Sequence, residues 1–480
     1  MLIGRKREIE TLKKYYESTE AEFLVVYGRR RVGKTYLIRQ YFNDNFFFYA
    51  TGTAPEDSDK ARLSGNLERF GKNLNLHGID QAASPVSWMD AFDRLRDGVI
   101  SSKIKDKKVI FLDEMPWMDT PKSSFVNALE YFWNGFASAR SDILLIACGS
   151  ASSWISRKMF NNRGGLHNRI TGRLLLNPFT LHECEEYFRS LNIVIDRRDI
   201  AEAYMIFGGI PYYLKYWDGR FSLPQNIDMI IFREDAPLKN EFYNLYASLF
   251  SNTSQYVEVI KALGEKSRGL SRNEILAYTK MTDGGTLSEI LQNLVISGFV
   301  RYYARYPGKI RNGLYQLIDN YSLFHQIFIE ENKGQNEHFW SDQHETPRLI
   351  AWRGYAFEQL CFKHINQIKQ TLGIAGISTD IFSWKSKNSA PVAQIDLVLS
   401  RADRIINLCE LKFAKYEFEI KKDYSVKLRN KIFAFGNETG ASATTHLTFV
   451  TTYGVKRNAY SNMVQSEIVL DDLFADDMRR

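Results

Sequence analysis

The octet Gly28-Arg29-Arg30-Arg31-Val32-Gly33-Lys34-Thr35 reads G-x-x-x-x-G-K-T, a spacing suited to holding phosphate groups. Phe23–Tyr27 precedes it as a short apolar run of strand length, and Tyr36–Tyr41 can continue from it as a helix. Glycines let backbone N–H groups close around phosphate oxygens, and a helix N-terminus adds partial positive charge. In that layout Lys34 reaches the β- and γ-phosphates of a nucleotide, and Thr35 offers its hydroxyl to Mg²⁺. The plainer alternative is a glycine turn, which would not require a strand before it and a helix after it.

A second group has the chemistry that such a loop needs. Lys107-Lys108-Val109-Ile110-Phe111-Leu112-Asp113-Glu114 is an apolar strand ending in two acids, and its apolar run suits a parallel strand covered on both faces. Asp113 is placed to hold the Mg²⁺ shell, and Glu114 to orient and deprotonate an attacking water. Farther on, Ile143–Cys148 is another apolar run, followed by Gly149-Ser150. Ser150 reads either as a contact to the γ-phosphate or the water, or as a cap on the next helix. The loop Asn161-Asn162-Arg163-Gly164-Gly165-Leu166-His167-Asn168-Arg169-Ile170-Thr171-Gly172-Arg173 carries two more candidates. Arg169 and Arg173 are either arginine fingers, in cis or from a neighbouring subunit, or solvated loop arginines.

These residues need a framework, and 480 residues allow about three or four domains. Apolar content of 44% and charged content of 25% are ordinary for a globular protein. No apolar run has the length of a membrane-crossing helix, and the N-terminus lacks a secretory apolar core, so a cytoplasmic protein without membrane contact is expected. Cys148, Cys184, Cys361 and Cys409 are scattered without C-x-x-C spacing, which fits a reducing compartment and argues against structural zinc. A net charge of +7 permits nucleic-acid binding without requiring it.

Candidate strands Phe23–Tyr27, Phe46–Ala50, Val109–Leu112, Ile143–Cys148 and Arg173–Leu176 alternate with helical patterns such as Ser87–Arg96 and Lys122–Phe136. This alternation predicts a doubly wound α/β core over 1–180. Residues 181–250 read as helical. They include Gly208-Gly209-Ile210-Pro211-Tyr212-Tyr213-Leu214, where one helix stops and another starts with proline in its first turn, and a helical lid over the nucleotide fits them. Residues 251–325 predict a winged helix-turn-helix. Its helices are Tyr256–Leu263, one opened by a capping box at Ser271 and Glu274, and Gly285–Ser297 with Leu287, Ile290, Leu291 and Leu294 on one face. Phe299–Tyr303 and Leu314–Ile318 then alternate as a hairpin. The stretch Thr286–Asn293 of the third helix carries no Lys or Arg, which favours a packing role over base reading.

Residues 326–480 carry a second constellation. Trp352–Leu360 begins an amphipathic helix bearing Glu358, Pro391–Leu399 is a strand bearing Asp396, and Arg404–Phe413 is a strand bearing Glu410 and Lys412. Strand alternation puts Glu410 and Lys412 on one face, and a hairpin could bring Asp396 beside them. Carboxylates of this kind can hold Mg²⁺ while the lysine positions or activates water against a phosphodiester. The alternative is a solvated strand face of alternating charge. The order helix Glu, strand Asp, strand E-x-K favours a nuclease-type core, which need not cleave. Lys415, Lys421, Lys422, Lys427, Arg429 and Lys431 follow it and either line a backbone groove or form a solvated helix face.

Taken together, these motifs resemble the prokaryotic P-loop ATPases of the AAA/STAND type, common in archaea and in Bacteroides-like bacteria. The resemblance is carried by Ile3-Gly4-Arg5-Lys6-Arg7-Glu8-Ile9, Tyr27 through Thr35, Phe111-Leu112-Asp113-Glu114, Cys148-Gly149-Ser150 and Gly208 through Leu214. It implies an ATPase core joined to a winged helix and a C-terminal domain resembling PD-(D/E)XK nucleases. It further implies ATP with Mg²⁺ as ligands and Ile3, Gly4 and Arg5 near the adenine. Lys34 and Thr35 then bind nucleotide and Mg²⁺, Asp113 and Glu114 are the strand-end acids, and Glu358, Asp396, Glu410 and Lys412 are the nuclease-like set. Relatives often read L-x-G-R at the arginine finger, whereas here the segment is Leu166-His167-Asn168-Arg169, so the choice between Arg169 and Arg173 stays open. No N-K-x-D guanine-reading motif is evident. Three functions compete: an ATPase whose cycle moves the C-terminal module, an ATP-dependent DNA nuclease, and a slow nucleotide-gated switch that binds a protein partner or further copies of itself.

Overall fold

Runs of apolar residues bounded by charges become buried parallel strands. The computed structural model describes the chain except residues 1, 54–57, 81–82, 151, 162–165, 167, 251, 267, 304–305, 307–312, 333–335, 344–345, 387–391, 441–442 and 477–480. The chain divides into two compact units, one of Met1–Pro178 with Ala247–Ser251 and Gln292–Gly298, the other of Phe179–Tyr246, Asn252–Leu291 and Phe299–Arg480.

In the first unit the elements run α1 (Lys6–Glu17), β1 (Glu22–Tyr27), α2 (Lys34–Tyr41), β2 (Phe48–Thr51), α3 (Asp59–Leu76), α4 (Trp88–Ser101), β3 (Lys108–Asp113), α5 (Phe125–Gly135), β4 (Ile143–Gly149) and β5 (Gly172–Leu175). The sheet order is β2-β3-β4-β1-β5, and every pairing is parallel. β3 and β4 are buried along their whole length, as strands covered on both faces must be. Trp88, Phe92, Phe125, Phe132 and Trp133 of α4 and α5 form the core over one face, with the Trp88 and Phe125 rings 4.8 Å apart. Several sequence boundaries shift: α4 runs on to Ser101 instead of ending at Arg96, and β5 spans Gly172–Leu175 instead of Arg173–Leu176. The second strand starts at Phe48, and α5 starts at Phe125 because Lys122 and Ser124 take left-handed backbone conformations (φ 63° and 57°) that interrupt a helix.

The second unit begins with α6 (Leu181–Ser190), capped by a Thr180–Glu183 box, and α7 (Arg197–Phe207). Gly208 ends α7 in the left-handed conformation, and Pro211 opens the next short helix, as the sequence predicts. Helices α8 (Thr253–Gly264), α9 (Arg272–Thr279) and α10 (Gly285–Ile296), the last assigned to the first unit from Gln292 on, are followed by β6 (Val300–Tyr303) and β7 (Leu314–Leu317), an antiparallel pair. The capping box at α9 forms: Ser271 Oγ accepts from the Glu274 N–H, and Glu274 accepts from the Ser271 N–H at 2.8 Å. Leu287, Ile290, Leu291 and Leu294 are buried.

The rest of this unit is an α/β region. It comprises α11 (Pro347–Lys363), β8 (Thr379–Lys385), β9 (Gln394–Arg401), β10 (Ile405–Lys412), α12 (Lys422–Thr439), β11 (Thr444–Thr451) and β12 (Ser466–Val469). The sheet order is β12-β11-β10-β9-β8, antiparallel from β8 to β10 and parallel from β10 to β12. β9 starts at Gln394, and Pro391, the start of the strand read from sequence, lies outside the described residues.

Candidate functional site

Parallel alignment brings the C-terminal ends of β3, β4 and β1 side by side, where open α/β sheets place their ligands. Tyr27 pairs with Gly149, and Thr51 with Asp113, so Gly28, Ser150 and Glu114 follow directly from adjacent strand ends.

Gly28 has φ 143°, and a Cβ there would lie 2.3 Å from the Leu176 carbonyl oxygen, so the loop needs glycine at this point. Gly33 caps α2 at φ 92°. Lys34 is buried, and its Nζ donates to Gly28 O (3.1 Å), Arg29 O (2.9 Å) and Ser150 Oγ (3.0 Å). Burial lowers its pKa, and the nearby acids partly offset that. Ser150 Oγ in turn donates to Glu114 Oε1 at 2.7 Å, while the Ser150 N–H donates to Glu114 Oε2 at 3.1 Å. Lysine, serine and glutamate thus form one hydrogen-bonded chain across three strand ends. Glu114 itself has φ 43°, an uncommon left-handed conformation for a non-glycine residue that is held in place by these contacts.

Thr35 Oγ1 lies 3.0 and 2.9 Å from the two oxygens of Asp113. Burial and then the Glu114 charge raise the Asp113 pKa. A hydroxyl and a carboxylate in contact form an oxygen-donor pair suited to a hard divalent cation such as Mg²⁺. Arg29 is buried, Val32 is 1% exposed, and the Arg30 guanidinium lies 5.3 Å from the centroid of the Trp117 ring.

Ile3 and Gly4 are partly buried just before α1. Arg5 is buried, and its guanidinium donates to Asn177 O (2.8 Å) and Val32 O (3.2 Å), so it ties the phosphate loop to the segment after β5. Arg169 is exposed, and Arg173, on the edge strand β5, lies 4.1 Å from the centroid of the Phe160 ring. Among the described residues neither arginine enters the Lys34–Ser150–Glu114 chain. Residues 162–165 and 167 of this arginine-bearing loop lie outside the described residues.

In the second unit, β9 and β10 pair Leu397 with Cys409, and one further step of that register sets Asp396 across from Glu410. Glu358 of α11 hydrogen-bonds Asp396, and burial followed by the Asp396 charge raises its pKa to about 8. Gln394 Nε2 donates to Asp396 Oδ1 at 2.6 Å. Glu410 is buried, and each of its oxygens is engaged: Oε1 accepts from Lys431 Nζ at 2.5 Å and Oε2 from the Tyr424 hydroxyl at 2.8 Å, with Lys412 Nζ 3.6 Å away. The four residues read from sequence therefore gather. However, among the described residues no three acidic, His or Cys side chains converge to hold one metal ion. Sequence alone does not single out Tyr424, and it offers Lys431 only as one basic residue of a groove or of a solvated helix face. Their positions two turns apart on one face of α12 acquire meaning only when that helix packs over β10.

Residues 2–217 match the model of an ATPase domain predominantly from Archaea. An uncharacterized protein of Methanocaldococcus jannaschii is 23% identical over 435 residues, covering 88% of this chain and 90% of that protein. An uncharacterized ATP-binding protein of the same organism is 41% identical over 44 residues, which are 9% of this chain and 75% of that protein. Among solved structures, the Walker-type ATPase of Pyrococcus abyssi aligns with TM-score 0.47 and 18% identity, covering 68% of this chain and 96% of that one. Residues 2–217 thus carry a P-loop ATPase domain of the archaeal type, and the protein is an ATP hydrolase.

Proposed function

We propose that this is a Mg²⁺-dependent ATPase of the AAA/STAND type whose nucleotide state is read out by a nucleic-acid-binding C-terminal module. The observation that carries the reading is the Lys34–Ser150–Glu114 chain beside the Thr35–Asp113 pair. Lys34 exchanges its carbonyl acceptors for β- and γ-phosphate oxygens, a stronger charge-assisted bond. Thr35 and Asp113 are the residues that would hold Mg²⁺, which neutralises phosphate charge when bound. Glu114 accepts a proton from water, and Ser150, bonded to both Lys34 and Glu114, keeps the base in register with the phosphate-binding lysine. Arg169 or Arg173 serves as the finger, and Ile3, Gly4 and Arg5 flank the base.

In this reading residues 181–250 are the helical lid, 251–325 the winged helix-turn-helix and 326–480 the nuclease-like domain. Three helices followed by an antiparallel pair support the second of these assignments. The αβββαβ succession around Glu358, Asp396 and Glu410 supports the third. The engagement of both Glu410 oxygens by Lys431 and Tyr424 favours a module that binds over one that cleaves.

Steady-state ATP turnover with Mg²⁺, with and without DNA, tests the proposal. Wild type is expected to turn over ATP faster with DNA, and Lys34→Ala to lose at least about a hundredfold in rate. Turnover in Lys34→Ala equal to wild type would remove the site assignment. Turnover indifferent to DNA would remove the coupling and direct the search to protein partners.

A further inference from the structure

We propose that the cleft between the β6–β7 pair and the β8–β9 side of the C-terminal sheet binds the phosphodiester backbone of a nucleic acid without a metal ion, through Arg268, Arg301 and Lys385. This deepens the preceding reading and rests on its assignment of the second unit as a nucleic-acid module. Arg268, Arg301 and Lys385 line the cleft together with Glu358, Gln394 and Asp396.

Arg301 is the central donor. Its guanidinium lies 3.7 Å from the centroid of the Phe362 ring and 5.1 Å from that of Tyr303, and it donates to Gln316 Oε1. Its Nε is buried and has no hydrogen-bond partner among the described residues. A guanidinium fixed against two rings has already lost much of its conformational freedom, and a phosphate oxygen would supply the acceptor that Nε lacks.

The acids in the cleft do not cancel this charge. Glu358 and Asp396 are hydrogen-bonded to one another, which ties up part of the acidic lining. Arg268 also lies 3.4 Å from Glu274, and the cleft lining sets three basic side chains, Arg268, Arg301 and Lys385, against two acidic ones, Glu358 and Asp396. Glu410 is matched by Lys431 and Lys412. Carboxylates engaged by one another and by lysines are poorly suited to capture a cation, and the surplus of basic side chains favours an anion.

Continuity of charge points to a polymer over a single phosphate. Lys427 is exposed and stands one helical turn before Lys431 on α12, on the same face. The basic face of α12 therefore meets the carboxylates through Lys431, and positive groups extend beyond the cleft's own lining.

The test is fluorescence anisotropy of labelled single-stranded and duplex oligonucleotides with the full chain, in EDTA and without ATP. Wild type is expected to bind with a steep salt dependence. Lys385→Glu and Arg301→Gln should each weaken binding by about tenfold or more, and Asp396→Asn should tighten it by about twofold or more. Thermal unfolding of each variant separates lost binding from lost folding, and Lys385, partly exposed at the end of β8, keeps the test open should Arg301→Gln not fold. The cleft assignment is overturned by unchanged affinity in folded Lys385→Glu, by binding that requires Mg²⁺ or Mn²⁺, or by inorganic phosphate or ATP competing as well per phosphate as the oligonucleotide. Binding that persists in the cleft variants leaves the module reading standing with its surface elsewhere. A wild type that binds no nucleic acid with or without metal removes both.

Discussion

Ser150 is 36 residues from Glu114 and 116 from Lys34, yet one hydroxyl serves both. Its consequence for catalysis separates from binding. Glu114→Gln keeps the side chain's size and one acceptor oxygen but cannot take a proton, so ATP affinity should stay within about threefold while turnover falls by about a hundredfold or more. Ser150→Ala should leave binding similarly intact and cost about tenfold in turnover, because Glu114 keeps the bond from the residue-150 backbone N–H but loses the hydroxyl that positions it. Nucleotide affinity by titration and single-turnover rates would show the split, and equal losses in both would assign Ser150 to binding instead. Glu358 leads to a pH prediction. Its carboxyl is raised from 4.5 to about 8 in the folded chain by burial and by Asp396. Between those values the native state holds a proton that the unfolded state has released. Stability is therefore fully present below about pH 4.5, declines as pH rises toward 8, and levels off above it. The loss should be on the order of 2–4 kcal/mol. Urea unfolding from pH 5 to 8.5 should show the decline in wild type, and Glu358→Gln should abolish that component.

Whole elements were legible where the chemistry is local. The phosphate loop lies within eight consecutive residues between a strand and a helix, and the Asp113–Glu114 pair ends a strand whose burial is written in its apolar run. The Ser271–Glu274 box is likewise a contact three residues long, and it forms as read. What sequence could not supply are contacts made by packing distant faces. The partners of Glu410 come from a helix that begins after β10, and the Arg301 ring contacts come from both the β6–β7 pair and α11. Arg5 shows the same limit, since its carbonyl partners lie 27 and 172 residues away. The Gly208–Gly209 pair tests how far element geometry governs stability. Both residues have positive φ, but a Cβ at Gly209 would lie 2.3 Å from the Phe179 carbonyl oxygen, whereas at Gly208 the nearest atom is the Asn320 side-chain oxygen at 3.3 Å. Backbone cannot yield as a side chain can. Gly208→Ala should cost about 1 kcal/mol, the left-handed penalty alone, and Gly209→Ala about 3 kcal/mol or more, with a steric clash added to that penalty. Equal losses in chemical unfolding would show that the Phe179 contact relaxes freely.

At the scale of the molecule the question is whether the two units exchange free energy. An ATP hydrolase and an anion-binding cleft on one chain can work independently, and the Lys34–Ser150–Glu114 chain and the cleft lining each fall within one unit. Coupling must be reciprocal: whatever factor a bound oligonucleotide applies to ATP affinity, ATP must apply to oligonucleotide affinity. The Glu114→Gln chain makes this measurable, because it is expected to hold ATP without consuming it. Titrating ATP with and without saturating duplex, then duplex with and without saturating ATP, closes a thermodynamic cycle. The two factors should agree and lie between about 5 and 150, the span of about 1–3 kcal/mol typical of coupled sites. A factor of one in both arms would mean that hydrolysis is not read out through nucleic acid. A factor above one that disappears in Lys385→Glu would trace the coupling to the cleft, since that substitution leaves every residue of the phosphate loop and strand ends in place.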